Sequence, residues 1–333
     1  MQTLFSLYPR VMVSHVGYKA EKQDQLSPTN HACAGAASGA VARAVLQPLD
    51  VLKIRFQLQV EPIAKRGGGL YQGLLQSTYT IARTEGLSAL WKGHIAAQAL
   101  SVTFGMAQFW SYSLLTKAAS EHGAGEGHLS HGVCGALAGL FATITSFPFD
   151  TVRTRLIAQG CPKHYTGMKN AVIKMVNQEG TKSLWKGLLP TLVMSAPYSG
   201  LTFYFYSAYQ ALMMKWFLKG KENEWLSTSA VTGLVAGACA KVCVYPLDVL
   251  KKRLQIRGFE EARKQFGKVV VYKSPWSCVL QVTRQEGVLA WYKGLWPAMI
   301  KSGLTSGVIF LTFESICQLL SHLQNKKGDR PIE

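Results

Sequence analysis

Charged residues are absent from three long stretches of this chain: 93–116, 127–149 and 187–214. Each exceeds the ~20 residues that a helix needs to cross a ~30 Å hydrocarbon core. Three further apolar stretches carry isolated charges. Residues 25–49 contain only Arg43, 225–247 only Lys241, and 294–323 only Lys301 and Glu314. The pattern predicts six membrane-spanning helices, near 29–57, 91–119, 129–157, 185–216, 226–255 and 292–322. A soluble bundle of six buried helices is the competing reading. Three charge-free runs of this length are hard to cover in water.

The spans read as one unit written three times. QPLDVLKIR (47–55), FPFDTVRTR (147–155) and YPLDVLKKR (245–253) share the pattern Pro-x-Asp-x-x-Lys/Arg-x-Arg, 100 and 98 residues apart. A GxxxG pair starts thirteen residues before each proline, at Gly35/Gly39, Gly135/Gly139 and Gly233/Gly237. A second box follows each: EGLSALWKG (85–93), EGTKSLWKG (179–187) and EGVLAWYKG (286–294). Two helices per repeat return the chain to one face, so the copies can pack around an axis along the membrane normal. The expected units are 30–122, 123–223 and 224–322, between an N-terminal extension 1–29 and a tail 323–333.

Each feature has a physical reason. GxxxG lets helix backbones approach closely in lipid, where apolarity alone drives no association. Pro48, Pro148 and Pro246 each remove a backbone hydrogen bond and bend a helix, so three bent helices can close a basket. The Asp two residues after each proline then lies at the closed end, with a cation three residues further on. These groups can pair within one helix or between repeats. Recurrence at a point of convergence favours a ring between helices.

Composition adds direction. Lys and Arg outnumber Asp and Glu 36 to 18, for a net charge of +18, with 48% apolar residues. The connections 53–92, 153–186 and 251–293 hold 23 of the 36 cations. The positive-inside tendency therefore puts these loops on one face and both termini on the other. No basic helix or aromatic-basic sheet of a nucleic-acid binder is present. The seven cysteines form no CxxC pair, which argues for reduced thiols and gives no metal-ligand spacing. GxxxxGKS/T, HExxH and GxSxG are absent, so the common enzyme signatures are missing. Residues 1–29 show no secretory signal, and Met12 offers an alternative start.

The two linked boxes in three copies resemble the mitochondrial carrier family over residues 30–322. That resemblance implies an all-α membrane protein of six transmembrane helices in three tandem repeats around a pseudo-threefold axis, with short helices on the matrix surface. It implies a monomeric inner-membrane carrier rather than an enzyme. It pairs Asp50 with Arg153, Asp150 with Lys251, and Asp248 with Lys53 as a matrix gate. Trp91-Lys92-Gly93, Trp185-Lys186-Gly187 and Tyr292-Lys293-Gly294 are implied to start the even helices and to bind cardiolipin phosphates. A companion Tyr-x-Gly stands at Tyr71 and Tyr165 but reads Tyr272-Lys273-Ser274 in the third copy. The cytosolic gate falls on Ser113 with Thr116, Ser207 with Gln210, and Glu314 with Cys317. With one charge among six positions, that gate closes weakly, and a preference for the cytosol-open state is expected.

The cations within the spans point to the cargo, since intramembrane charges are functional by default. Arg43 and Lys241 stand seven residues before Asp50 and Asp248, on the same helix face; Thr143 takes that place in the second repeat. The family's contact positions on the even helices are Leu100/Ser101, Met194/Ser195 and Lys301/Ser302, with Gln108, Tyr198 and Ser199 as further lining candidates. Three cations suit a small anion with two or three phosphates; the apolar positions suit an organic body. KIRFQLQ (53–59), WKGH (91–94), APYSGLTF (196–203) and GFEEARKQFG (258–267) resemble members of the family that carry thiamine pyrophosphate. They imply that compound as transported substrate, not as a prosthetic group. Adenine nucleotides, deoxynucleotides and coenzyme A remain open as alternatives, as does a carrier-fold scaffold that moves nothing.

Overall fold

The structure is a computed structural model that describes residues 28–63, 68–121, 128–160, 162–216, 225–266, 268–272 and 274–328. Met12, the first 27 residues of the N-terminal extension and the end of the C-terminal tail lie outside the described residues. Among the described residues there are nine α-helices and no strand. Six are long: α1 (Pro28–Leu58), α3 (His94–Glu121), α4 (His128–Ala158), α6 (Leu188–Trp216), α7 (Trp225–Gln255) and α9 (Leu295–Gly328). Three have 12 residues: α2 (Leu74–Glu85), α5 (Met168–Glu179) and α8 (Pro275–Glu286). The first helix thus takes in the last two residues of the expected extension, and α9 runs on through residue 328 of the expected tail.

Helix type follows from pattern. The short helices bury residues four apart, Ser77 and Ile81, Ala171 and Met175, Cys278 and Val282, and are amphipathic. The long helices expose large apolar side chains instead, among them Phe109, Trp110, Phe203, Tyr204 and Leu311. Such surface suits lipid rather than water. Among the described residues, three segments are long and apolar enough to cross a membrane: Ser130–Ala158, Val231–Gln255 and Val288–Leu323. Helix α6 carries no charged residue before Lys215, in its last turn.

Each short helix ends at a glycine of positive φ (Gly86, Gly180 and Gly287), which only glycine adopts freely. A 3₁₀ turn follows, Leu87–Trp91, Thr181–Trp185 or Val288–Tyr292. The expected start of the even helices is therefore corrected. The triplets at 91–93, 185–187 and 292–294 close these turns, and the helices begin one residue later, at His94, Leu188 and Leu295.

The chain forms two compact units. Of the described residues, the larger takes those within 46–303, and the smaller joins 28–45 with 304–328. In the larger unit α3 packs along α4, and α6 along α7. Its core gathers the ends of α1 and α4 with α2 and α5, around Val51, Ile54, Phe56, Val152, Ile157 and Met175. A second cluster joins α7, α8 and the start of α9 through Tyr245, Val249, Cys278 and Ala298. In the smaller unit Ala34 and Cys317 are buried with Phe313, Ile316 and Leu320, and His31 stacks on Phe313 at 6.4 Å.

The GxxxG expectation is also corrected. A methyl group on Gly139 or Gly237 would meet nothing within 4 Å, and on Gly135 or Gly233 only a tyrosine ring at 3.9–4.0 Å. Close approaches to the backbone of another helix occur instead at Gly93, Gly187 and Gly294. There a methyl group would stand 3.1 Å from the Arg153 carbonyl, 2.9 Å from that of Lys251 and 2.8 Å from that of Lys53.

Candidate functional site: two rings of ion pairs at the helix ends

Helices α1, α4 and α7 run through Pro48, Pro148 and Pro246, and each places its Asp one turn before its C-terminal cations. The structure joins these groups between helices. Asp50 pairs with Arg153, Asp150 with Lys251 at 2.9 Å, and Asp248 with Lys53 at 2.6 Å. Further donors crowd the ring. Lys252 reaches both oxygens of Asp150 at 3.0 and 3.2 Å, and also Thr154 and Gln255. The Gln255 amide donates to Asp150 at 2.8 Å, and that of Gln57 to Asp248 at 3.1 Å. Lys301, from α9, donates to both oxygens of Asp50 at 2.8 Å. Three carboxylates thus face five cations (Lys53, Arg153, Lys251, Lys252 and Lys301). Buried pairs repay their desolvation only in part. The cluster therefore carries a surplus of positive charge.

A second ring, the outer ring, lies beside the first, with its first corner at Arg55, its second at Arg155 and its third at Arg253. Arg55 pairs with Glu85, Arg155 with Glu179 and Arg253 with Glu286. Lys92, Lys186 and Lys293 join the same carboxylates. Each cluster then reaches the carbonyls at the end of another helix. Arg55 and Lys92 donate to Ile157 and Gln159, Arg155 and Lys186 to Gln255 and Arg257, and Arg253 and Lys293 to Gln57 and Gln59. The last carbonyls of a helix have no partner within it, so each cluster caps the next helix and the three contacts close a cycle. Burial would raise the Glu85 and Glu179 carboxyls. Hydrogen bonds from Arg55 and Lys92, and from Arg155 and Lys186, outweigh it and hold both below the usual range. Tyr71, Tyr165 and Tyr272 accept from the three arginines through their hydroxyls.

The candidate substrate residues are dispersed. Lys241 donates to the Ala298 carbonyl at 3.2 Å, one turn before Lys301 on α9. Arg43 belongs to the smaller unit, with its guanidinium laid back over Gly39. The hydroxyls of Ser101 and Ser195 bond to their own helices, at Ala97 and Thr191. Leu100, Met194 and Gln108 are half-buried, and Ser302 is exposed. Of the candidate cytosolic gate, Ser113 and Ser207 are exposed, Gln210 is half-buried, and Thr116 bonds to the carbonyls of Tyr112 and Ser113 within α3. Glu314 lies half-buried in the smaller unit. Among the described residues no cluster of His, Cys, Asp and Glu could hold a metal ion.

A cavity of about 190 Å³ opens where α3 and α5 begin, between Trp91, Lys92, His94, Lys163, Gly167 and Met168. Two helix N-termini at one cavity favour an anionic group. The outer-ring arginines and glutamates had no role in the sequence reading, although they recur in all three copies of the two boxes. Lys252 could not be found that way, because Ile54 and Thr154 hold its place in the other copies.

The family model described as "Mitochondrial carrier protein" matches residues 24–123, 125–216 and 222–324. The chain is 44% identical over 305 residues to the mitochondrial thiamine pyrophosphate carrier of Macaca fascicularis, covering 90% of this chain and 94% of the relative. The human protein of that name gives the same figures. The mitochondrial thiamine diphosphate carrier 2 of Zea mays is 38% identical, covering 85% of this chain and 91% of the relative.

Proposed function

The chain belongs to the mitochondrial carrier family, and we propose that it imports thiamine pyrophosphate into the mitochondrial matrix, in exchange for nucleotides or phosphate. It is a transporter of the inner membrane rather than an enzyme, and thiamine pyrophosphate is its cargo. The observation that carries the proposal is the ring of three carboxylates under five cations, in a chain so similar to thiamine pyrophosphate carriers. A diphosphate supplies the negative charge that this ring lacks. Charge-assisted hydrogen bonds from lysine and arginine are the strong ones.

In this reading the six long helices span the membrane as three two-helix repeats about a pseudo-threefold axis, with α2, α5 and α8 on the matrix surface. The basic loops face the matrix, and both termini face the intermembrane space. Asp50, Asp150 and Asp248 with their cations form the matrix gate; Ser113, Thr116, Ser207, Gln210 and Glu314 lie at the cytosolic one. Lys241 and Lys301 receive the phosphates near the bottom of the path, with Arg43 as a third cation on α1. Leu100, Ser101, Met194, Ser195, Ser302 and Gln108 line the rest. The protein works as a monomer. Cardiolipin phosphates sit at the Trp-Lys-Gly and Tyr-Lys-Gly triplets, where helix N-termini meet the 190 Å³ cavity in the first copy.

Competition binding on the purified chain tests the cargo. Thiamine pyrophosphate is expected to bind at least ~tenfold more tightly than thiamine, ADP or coenzyme A, a difference of about 1.4 kcal/mol. Tighter binding of ADP or coenzyme A would move the assignment to a nucleotide-type carrier.

A further inference from the structure

The connection between α7 and α8 (256–274) is longer than its counterparts at 59–73 and 159–167, and it holds the segment GFEEARKQFG. Nothing in the gate or the substrate path uses it. It leaves α7 and touches both other corners of the outer ring. At the second corner, Arg155 and Lys186 both donate to the Arg257 carbonyl at 2.9 Å. Phe259 stacks on Tyr165 at 5.0 Å, with the rings 8° from parallel, and meets the edge of His164 at 5.5 Å. The chain then makes a 3₁₀ turn, Glu261–Phe266, and arrives at the first corner. There Phe266 lies 5.1 Å from the Arg55 guanidinium and 6.3 Å from the Tyr71 ring. Arg263 donates to the Leu58 carbonyl, the last of α1, at 2.8 Å. Beyond the turn, the Lys268 amide donates to Glu61 at 2.7 Å.

The two corners are not equally well made. The second has a near-parallel ring stack and two charge-assisted hydrogen bonds. The first has tilted rings and one charge-assisted hydrogen bond, from a buried arginine whose Nε has no hydrogen-bond partner among the described residues. Burial and the charges of Arg253 and Arg55 push that guanidinium down to about 10. A buried charge without a carboxylate partner is costly to hold. Each corner belongs to a different helix end, α1 for the first and α4 with α5 for the second. Separating those ends breaks one attachment or the other.

We infer that residues 257–266 are a strap across the matrix face, which helps to hold the gate shut and lets go of the first corner when the gate opens. The inference rests on the reading of the Asp–Lys/Arg ring as a matrix gate. Substrate arriving in the path must then release the strap at Leu58 and Tyr71 as well as the ion pairs. The strap stays docked on Tyr165 throughout.

Bridging experiments on the full chain in liposomes test this. Glu61→Cys with Lys268→Cys places a thiol pair on the accessible edge of the first corner. His164→Cys with Glu260→Cys, beside the buried Phe259, does so at the second and keeps the stack of Phe259 on Tyr165. A short, reducible bifunctional thiol reagent bridges each pair, and the same reagent on the native chain is the control. Uptake of labelled thiamine pyrophosphate before bridging tests the carrier reading itself; no uptake at that stage overturns that reading, and the strap with it. Bridging the first corner is expected to cut uptake at least ~tenfold, restored by reductant, while bridging the second leaves it within about twofold. Uptake that survives the first bridge, or falls equally under both, overturns the strap. Phe266→Ala, which needs no reagent, is expected to raise the labelling rate of a thiol introduced by Leu58→Cys at least ~threefold. An unchanged rate contradicts the strap independently of the bridges.

Discussion

Gly93, Gly187 and Gly294 hold φ of +76°, +90° and +82°, and each faces a carbonyl from a residue of the Asp–cation ring. Both facts exclude a side chain. Gly187→Ala is expected to destabilise the protein by at least ~1–2 kcal/mol from the left-handed backbone alone, with the close carbonyl adding to it. Gly139→Ala, with open space around it, is expected to cost nothing and to gain up to ~1 kcal/mol in helix propensity. Thermal unfolding of the two variants checks the contrast; equal losses would restore the GxxxG glycines as the packing sites. Lys301 carries a second prediction at this scale. With Lys301 proposed to meet a phosphate, Lys301→Ala is expected to weaken thiamine pyrophosphate binding at least ~tenfold, about 1.4 kcal/mol. Lys301→Arg keeps the charge and is expected to lose less. Titration of the purified variants measures both, and affinities within about twofold of native would take Lys301 out of the site.

At the scale of elements, helices are joined by charge, and the joints differ. Asp248 is held by Lys53 and the neutral Gln57, whereas Asp150 is held by Lys251, Lys252 and Gln255. Reversing the pair as Lys53→Asp with Asp248→Lys is therefore expected to recover at least about a third of native uptake, while either single change abolishes it, because breaking a buried pair leaves an uncompensated charge worth ~3–5 kcal/mol. The same reversal at Asp150 and Lys251 is expected to fail, since Lys252 stays beside the new lysine. Liposome uptake by the six variants decides it; equal recovery at both joints would remove Lys252 from the ring. The outer ring adds a pH dependence. The Glu85 and Glu179 carboxyls are held below their ordinary value in the folded state. Their contribution to stability is therefore present above the unfolded pKa of ~4.3 and is lost as pH falls through the lower folded value. Melting temperature is expected to hold from neutrality to about pH 5 and to fall below it. Glu85→Gln is expected to lower it at neutral pH and to flatten the acid loss.

For the whole molecule, much of the architecture was legible because it is written three times. Pro48, Asp50, Lys53 and their copies mark the helix ends, and Trp91, Trp185 and Tyr292 lie within three residues of the following helix starts. Recurrence also has blind spots. Lys252 and the 257–266 segment occur once, so no comparison between copies could reveal them. The attachment of Lys301 to Asp50 depends on how α9 lies against α1 at the ring, which periodicity along one helix does not encode. GxxxG was misread because spacing shows where close approach is allowed, not where a neighbour arrives.

The central claim is that the surplus positive charge at these helix ends serves the transport of a diphosphate cofactor. Uptake of labelled thiamine pyrophosphate by the purified chain in cardiolipin-containing liposomes tests it most directly. The expected result is uptake that saturates, that is faster when nucleotide or phosphate is loaded inside, and that thiamine does not compete away. Active nucleotide exchange in the same liposomes, without thiamine pyrophosphate uptake under either loading, would contradict it.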